Sequence, residues 1–168
     1  MTDKDNIKKE IEKIVNGSLS ERREAVDFLS AVGADAVEPL TLLLSESDDN
    51  DIRWYASNAL AKIGEPALED LIIILRTFPD DEVRRYAAAA LAGMGRPAVA
   101  ELIAVFEGDD SYARGLASKA LVRIGEPAIE SLSKYIDGKE SEELACRCAV
   151  LTLQKMSLDI PEEVEKVL

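Results

Sequence analysis

The phrase Ala59-Leu60-Ala61-Lys62-Ile63-Gly64-Glu65-Pro66-Ala67-Leu68 returns as Ala90-Leu91-Ala92-Gly93-Met94-Gly95-Arg96-Pro97-Ala98-Val99, and again as Ala120-Leu121-Val122-Arg123-Ile124-Gly125-Glu126-Pro127-Ala128-Ile129. A weaker copy, Phe28-Leu29-Ser30-Ala31-Val32-Gly33-Ala34-Asp35-Ala36-Val37, precedes them. Its glycines fall at 33, 64, 95 and 125, giving steps of 31, 31 and 30 residues. Self-similarity at that period constrains the chain to a stack of small supersecondary units, each of which buries its apolar face only against its neighbours.

Each unit reads as two helices. Counted from the glycine, position −11 is Arg22, Arg53, Arg84 and Arg114, and −8 is Ala25, Ala56, Ala87 and Ala117. Position −4 is Leu29, Leu60, Leu91 and Leu121, and −1 is Val32, Ile63, Met94 and Ile124. Positions −8, −5, −4 and −1 share one helical face, and the small −8 column lets helices approach closely. The glycine ends that helix by taking the left-handed conformation. Pro66, Pro97 and Pro127 then open a second helix, where proline loses only an N–H that had no partner. That second helix is apolar at +4, +7 and +11: Val37, Leu40 and Leu44 in the first unit, Leu68, Leu71 and Leu75 in the next, then Val99, Leu102 and Phe106, then Ile129, Leu132 and Ile136. Acid- and Ser-rich segments, such as Ser47-Asp48-Asp49, Asp80-Asp81-Glu82 and Asp109-Asp110-Ser111, break the chain and cap the next first helix.

The spacing predicts helices over 3–15, 20–32, 35–46, 51–63, 66–77, 81–94, 97–107, 111–124, 127–137, 141–156 and 161–167, with no strand. The ends differ from the interior, as the ends of a stack must. Ile7, Ile11, Ile14 and Val15 form the apolar face of a covering helix; Leu153, Met156 and Ser157 fill the Leu, Ile and Gly columns of a last unit. The expectation is one domain over 1–168: an N-terminal cap in 1–18, repeats in 19–157 and a C-terminal cap in 158–168. Its fold class is all-α, a right-handed α-α superhelix of about five helical pairs plus the N-terminal cap helix.

Composition narrows the function. With 33 acids against 20 bases the net charge is −13, a field that repels nucleic acid and anionic lipid and favours basic partners. The longest aliphatic run, Leu71-Ile72-Ile73-Ile74-Leu75, is far short of a membrane span. The polar start, Met1-Thr2-Asp3-Lys4-Asp5-Asn6, lacks a secretory signal, so the expected location is the cytoplasm. Cys146 and Cys148 point about 200° apart on one helix and read as reduced thiols. Histidine is absent, which removes the commonest general base and the commonest metal ligand. Cys-x-Cys alone falls short of the four ligands zinc requires. Asp109-Asp110 stand where every unit carries acids and read as caps, and no phosphate-cradling glycine loop is present. No metal, no cofactor and no catalytic residue is expected.

The Ala-Leu-x-x-Ile-Gly-x-Pro-Ala pattern, with entries at Asp51-Ile52-Arg53 and Asp81-Glu82-Val83-Arg84, resembles HEAT-like repeats, most closely the short subtype named after the phycobilisome lyases. The resemblance covers about residues 19–157. It implies that the arginine column pairs with the acidic turns as a structural ladder, the alternative being an anion-binding stripe. It also implies that the second helices line a concave surface where partners dock. The HEAT-like hydroxylases hold iron through His-Glu motifs, which this chain lacks, and the HEAT-like DNA glycosylases need a basic concave surface.

Position +9 lies opposite the core stripe of the second helix, yet carries Leu42, Ile73, Ala104 and Lys134. Around it stand Glu38, Glu69, Asp70, Glu101 and Glu130 at +5 and +6. An apolar strip rimmed by acids suits a basic amphipathic segment; alternatively, repeat curvature covers these side chains. Trp54, in a column pointing away from the core, is either a contact residue or lies flat over Tyr55 or a neighbouring aliphatic stem. Tyr55 and Tyr86 share a column and are expected to pack between units. The leading expectation is a non-enzymatic interaction module that holds a protein or peptide, basic in character, on its second-helix surface. The alternatives are a subunit of a phycobilin-lyase-like chromophore-attachment complex and a structural subunit of a larger assembly. Oligomeric state is open at this level.

Overall fold

The computed structural model describes residues 3–138 and 143–157, all helices and turns with no strand among them. In chain order the helices are α1 (Asp3–Asn16), α2 (Leu19–Val32), α3 (Val37–Glu46), α4 (Asn50–Ile63), α5 (Leu68–Thr77), α6 (Asp81–Met94), α7 (Val99–Ala104), α8 (Ser111–Ile124), α9 (Glu126–Asp137) and α10 (Leu144–Ser157). The helix expected over 161–167 and the C-terminal cap lie outside the described residues. So do positions 141 and 142 of the helix expected over 141–156.

Starts and stops follow the local chemistry. The Oδ1 of Asp49 accepts from the N–H of Asp51 and Ile52 at 2.7 and 3.3 Å, and Asp80 and Asp110 cap α6 and α8 in the same way. Ser18 and Glu21 form a reciprocal capping box on α2. Gly33, Gly64, Gly95 and Gly125 end the first helices with φ of 77, 79, 77 and 75°. Their ψ values, −129 to −137°, are not those of the expected left-handed helical conformation; they approach the extended positive-φ region open essentially to glycine alone. The prolines also act one step earlier than expected. Pro66 and Pro97 sit in three-residue 3-10 turns, Glu65–Ala67 and Arg96–Ala98, that precede the α-helix proper, and of the three Pro127 alone lies within the first turn of an α-helix.

The chain divides into two compact units, Met1–Pro97 and Ala98–Leu168. In the first, α4 packs against α2, α3 and α6, α1 against α2, and α5 against α6. Its fully buried leucines are 29, 40, 44, 60, 71, 75 and 91, beside the buried Ala25, Ala56 and Ala87. Each buried leucine contributes roughly 1.5–3 kcal/mol of transfer free energy. In the second unit, α8 packs against α7, α9 and α10 around Leu102, Phe106, Leu121 and Leu132. There the fully buried Thr152 donates to the Cys148 carbonyl at 2.7 Å, so Ser118 is the donor in the 2.8 Å bond between the two hydroxyls.

Several columns depart from the sequence reading. The −1 residues Val32, Ile63, Met94 and Ile124 are only half-buried. The +3 alanines Ala36, Ala67, Ala98 and Ala128 are fully buried; a 3-10 turn aims the first three inward, and the first turn of α9 does so for Ala128. Phe28, the −5 residue of the weak copy, is exposed where Ala59, Ala90 and Ala120 are buried, and Leu153 is half-buried although its column mates are fully so. Over one window Leu19–Glu46 matches a membrane span in length and composition. Gly33 ends α2, however, leaving helices of 14 and 10 residues, each short of the ~20 a span requires.

The arginine column is structural, and backbone carbonyls satisfy it as well as carboxylates. Arg22 donates to the Gly17 and Val15 carbonyls and lies over the Tyr55 ring, 5.6 Å from its centroid. Arg84 donates from Nε to the Leu75 carbonyl at 2.8 Å and stands 3.6 Å from Asp81. Arg114 donates to the Gly108 carbonyl. Arg53 reaches the acidic turn of the next unit, 3.1 Å from Asp80. Hydrogen bonds from the Glu82 and Val83 N–H groups, with the Arg53 charge, hold the Asp80 carboxyl below its ordinary pKa. Arg22, Arg84 and Arg114 close the orphan carbonyl ends of preceding helices.

Candidate partner-binding surface

The second helices of the first unit, α3 and α5, turn one face to the core and leave another bare. Val37, Leu40 and Leu44 on α3, and Leu71, Ile74 and Leu75 on α5, go inward. At the +9 position Leu42 is 55% exposed and Ile73 is 51% exposed. They belong to an open groove of about 470 Å³ whose apolar floor is completed by Ile74 and Phe78. Glu38, Glu46 and Asp70 stand along its edge with Thr41 and Ser45; Glu69 is exposed one residue before Asp70.

A second groove, of about 360 Å³, shares Leu42 and Glu46 with the first and runs on to α1, where Ile11 and Val15 line it together with Pro39, Leu43 and Ile52. The sequence pattern puts Ile11 and Val15 on the covering face of α1. The structure buries Ile7 and Ile14 and leaves Ile11 and Val15 half-exposed. The angles explain this: from Ile7, Ile14 lies about 20° to one side, whereas Ile11 and Val15 lie about 40° and 80° to the other. Phe78, next to the break at Pro79, is another lining residue that the repeat columns do not mark.

The remaining candidates lie elsewhere. Ala104 is half-buried and Glu101 exposed, both on α7 in the second unit. At +9 of α9, Lys134 pairs with Glu130 at 2.6 Å. Trp54 is 53% exposed on α4 and lines neither groove; its ring meets Tyr55 edge-on, 4.9 Å between centroids at 84°, not flat. Tyr55 is buried beneath Arg22, and Tyr86 is half-buried. Among the described residues no three His, Cys, Asp or Glu side chains gather as a metal site, and Cys146 and Cys148 are free. What the grooves offer chemically is apolar surface to desolvate and carboxylates to attract a cation; the Thr41 and Ser45 hydroxyls donate to the Glu38 and Thr41 carbonyls.

The profile of the HEAT repeats family matches residues 68–147. Residues 68–147 are therefore HEAT repeats. No curated protein matches the chain. Among solved structures, a chain from the complex of CpcE and CpcF of phycocyanin lyase from Nostoc sp. PCC7120 is 22% identical, with 90% of this chain and 99% of that one covered at a TM-score of 0.48. A computationally designed armadillo repeat protein for modular peptide recognition is 18% identical, with 88% and 80% covered at a TM-score of 0.36.

Proposed function

We propose that this HEAT-like repeat protein is a non-enzymatic scaffold that holds a basic amphipathic segment of a protein partner in the α3–α5 groove. The observation that carries the reading is the pairing of two half-bare aliphatic side chains, Leu42 and Ile73, with carboxylates on both helices that bear them. Aliphatic surface at about 25 cal/mol per Å² buried supplies affinity, and the acids supply orientation and association rate. The unbroken repeat register through positions 64, 95 and 125 supports a single working domain over 1–168. The period of 31, 31 and 30 residues supports the short, phycobilisome-lyase subtype of the repeat. The reduced-thiol reading of Cys146 and Cys148 supports a cytoplasmic location.

The test does not depend on the partner's identity. A displayed library of random 15-residue peptides is panned against the protein, with the Ile73→Glu variant as the counter-target. Basic sequences with apolar residues at helical spacing should be enriched, and they should lose at least tenfold in affinity to Ile73→Glu. Enrichment that ignores Ile73→Glu and Leu42→Glu alike would place the contact elsewhere and overturn the proposal.

A further inference from the structure

The last described helix, α10, carries the complement of this groove. Leu144 is 54% exposed and Leu151 is 55% exposed. They lie seven residues apart, and with Cys148 and Lys155 they fall within about 60° of one another around the helix axis. Cys148 is half-exposed, Lys155 is exposed, and the exposed Arg147 flanks the stripe. The sequence of α10, LACRCAVLTLQKMS, contains two cations and no acid, in a chain whose net charge is −13. The buried Ala145, Ala149, Thr152 and Met156 lie about 100° round the helix from the stripe, so the outer leucines are not needed to seat the helix. The groove inverts this pattern. Between Arg23 and Arg53 the chain has no base, and Glu38 and Glu46 of α3 come from that stretch.

We infer that a second copy of this chain docks the α10 stripe of one molecule into the α3–α5 groove of another, joining copies head to tail. The inference rests on the proposed function of that groove and names its occupant. Leu144 and Leu151 meet Leu42 and Ile73, while Arg147 and Lys155 meet the carboxylates of Glu38, Glu46 and Asp70. The two surfaces differ, so the contact is heterologous: every copy keeps one open groove and one open α10, and growth ends only in a closed ring or a filament. One helix face in one open groove is a small contact, so association is weak and salt-sensitive.

Sedimentation velocity on the full chain, from about 10 μM to about 1 mM, reads this directly, because a contact of that size dissociates in that range. The wild type should form dimers or larger species as concentration rises, and fewer of them when salt is raised from about 50 to about 500 mM. Leu151→Glu alone and Ile73→Glu alone should each be monomeric. Mixed, they should give a 1:1 heterodimer and nothing larger, since the first keeps its groove and the second keeps its α10. A wild type that stays monomeric throughout, a Leu151→Glu variant that still associates, or a mixture that yields no heterodimer overturns the head-to-tail contact. Should either variant lose its helical circular dichroism, Leu144→Glu and Leu42→Glu replace them on the same two surfaces. Binding of the panned peptides to Leu151→Glu separates the two readings. Self-association lost or absent with peptide binding intact leaves the groove standing with a different occupant, whereas failure of both removes the groove.

Discussion

Gly115 and Gly125 make a controlled pair for asking what the repeat glycine contributes. A Cβ built on either meets no atom within 4 Å, so a methyl group has room at both. Replacing glycine by alanine also lowers the entropy of the unfolded chain equally in the two cases. The difference is the backbone. Gly115 lies inside the 14-residue α8, where alanine is favoured by roughly 1 kcal/mol. Gly125 ends that helix at φ 75° and ψ −137°, where a non-glycine residue costs about 1–3 kcal/mol. Relaxing φ to negative values would forfeit the 3.1 Å bond from the Gly125 N–H to the Leu121 carbonyl and the 2.9 Å bond from the Ala128 N–H to the Gly125 carbonyl. Gly115→Ala should therefore stabilise and Gly125→Ala destabilise, with roughly 2–4 kcal/mol between them. Thermal midpoints move about 2–4 °C per kcal/mol for chains of this length, so a melting curve by circular dichroism resolves the pair. Two variants shifting in the same direction would refute the argument that φ, and not space, reserves this column for glycine. D-Alanine at 125, installed by semisynthesis, should recover the loss.

Leu91→Ala, at a fully buried position of α6, should cost ~2–5 kcal/mol in a urea titration, whereas Lys62→Ala breaks only an exposed 2.7 Å pair with Asp27 and should stay within roughly 0.5 kcal/mol. Partial burial and then the hydrogen bond to Glu107 push the Tyr135 hydroxyl up to about 12. Its contribution to stability is thus complete below the ordinary tyrosine value and is lost as pH rises through the folded one. The tyrosinate absorbance that disappears in Tyr135→Phe should have its midpoint near 12, and Glu107→Gln should lower it. For the groove, Ile73→Glu should abolish peptide binding with the thermal midpoint nearly unchanged; Glu69→Lys should mainly slow association at low salt, an effect lost at high salt.

How much of the fold is legible in the sequence differs by column, and the difference has a physical origin. The −8, −4 and +7 positions repeat without exception as alanine, leucine and leucine, because each is enclosed on every side and tolerates one volume. Those columns give the helices and their phase. The −1 column repeats as apolar residues yet is only half-buried: it lies in the last turn, where the chain leaves toward the second helix. The +3 alanines are invariant and fully buried; Ala36, Ala67 and Ala98 stand in 3-10 turns, which advance 120° per residue instead of 100° and so fall outside a helical-period search, whereas Ala128 lies in the first turn of α9. The arginines point to acids in the sequence because acids are their neighbours there; the carbonyl ends that most of them cap belong to the backbone and leave no trace in composition.

The candidate surface is legible only in part, for a related reason. Leu42 and Ile73 stand out because they break a pattern, being aliphatic at a position the core does not use. Ile11 and Val15 obey a pattern, and nothing in an apolar helix face says which edge of it the neighbouring helix reaches. The deciding quantity is the width of the contact: Ile7 and Ile14, about 20° apart, fill the seat α1 has, and residues further round the helix are left half-bare. The same reasoning applies to α10, where Ala145, Ala149, Thr152 and Met156 take the seat and Leu144 and Leu151 remain outside. An amphipathic face wider than its seat occurs at both ends of the described chain, once beside carboxylates and once beside cations. A periodicity search counts Ile11 and Val15 as core, and only their exposure in the structure separates the residues that hold the fold from those free to hold something else.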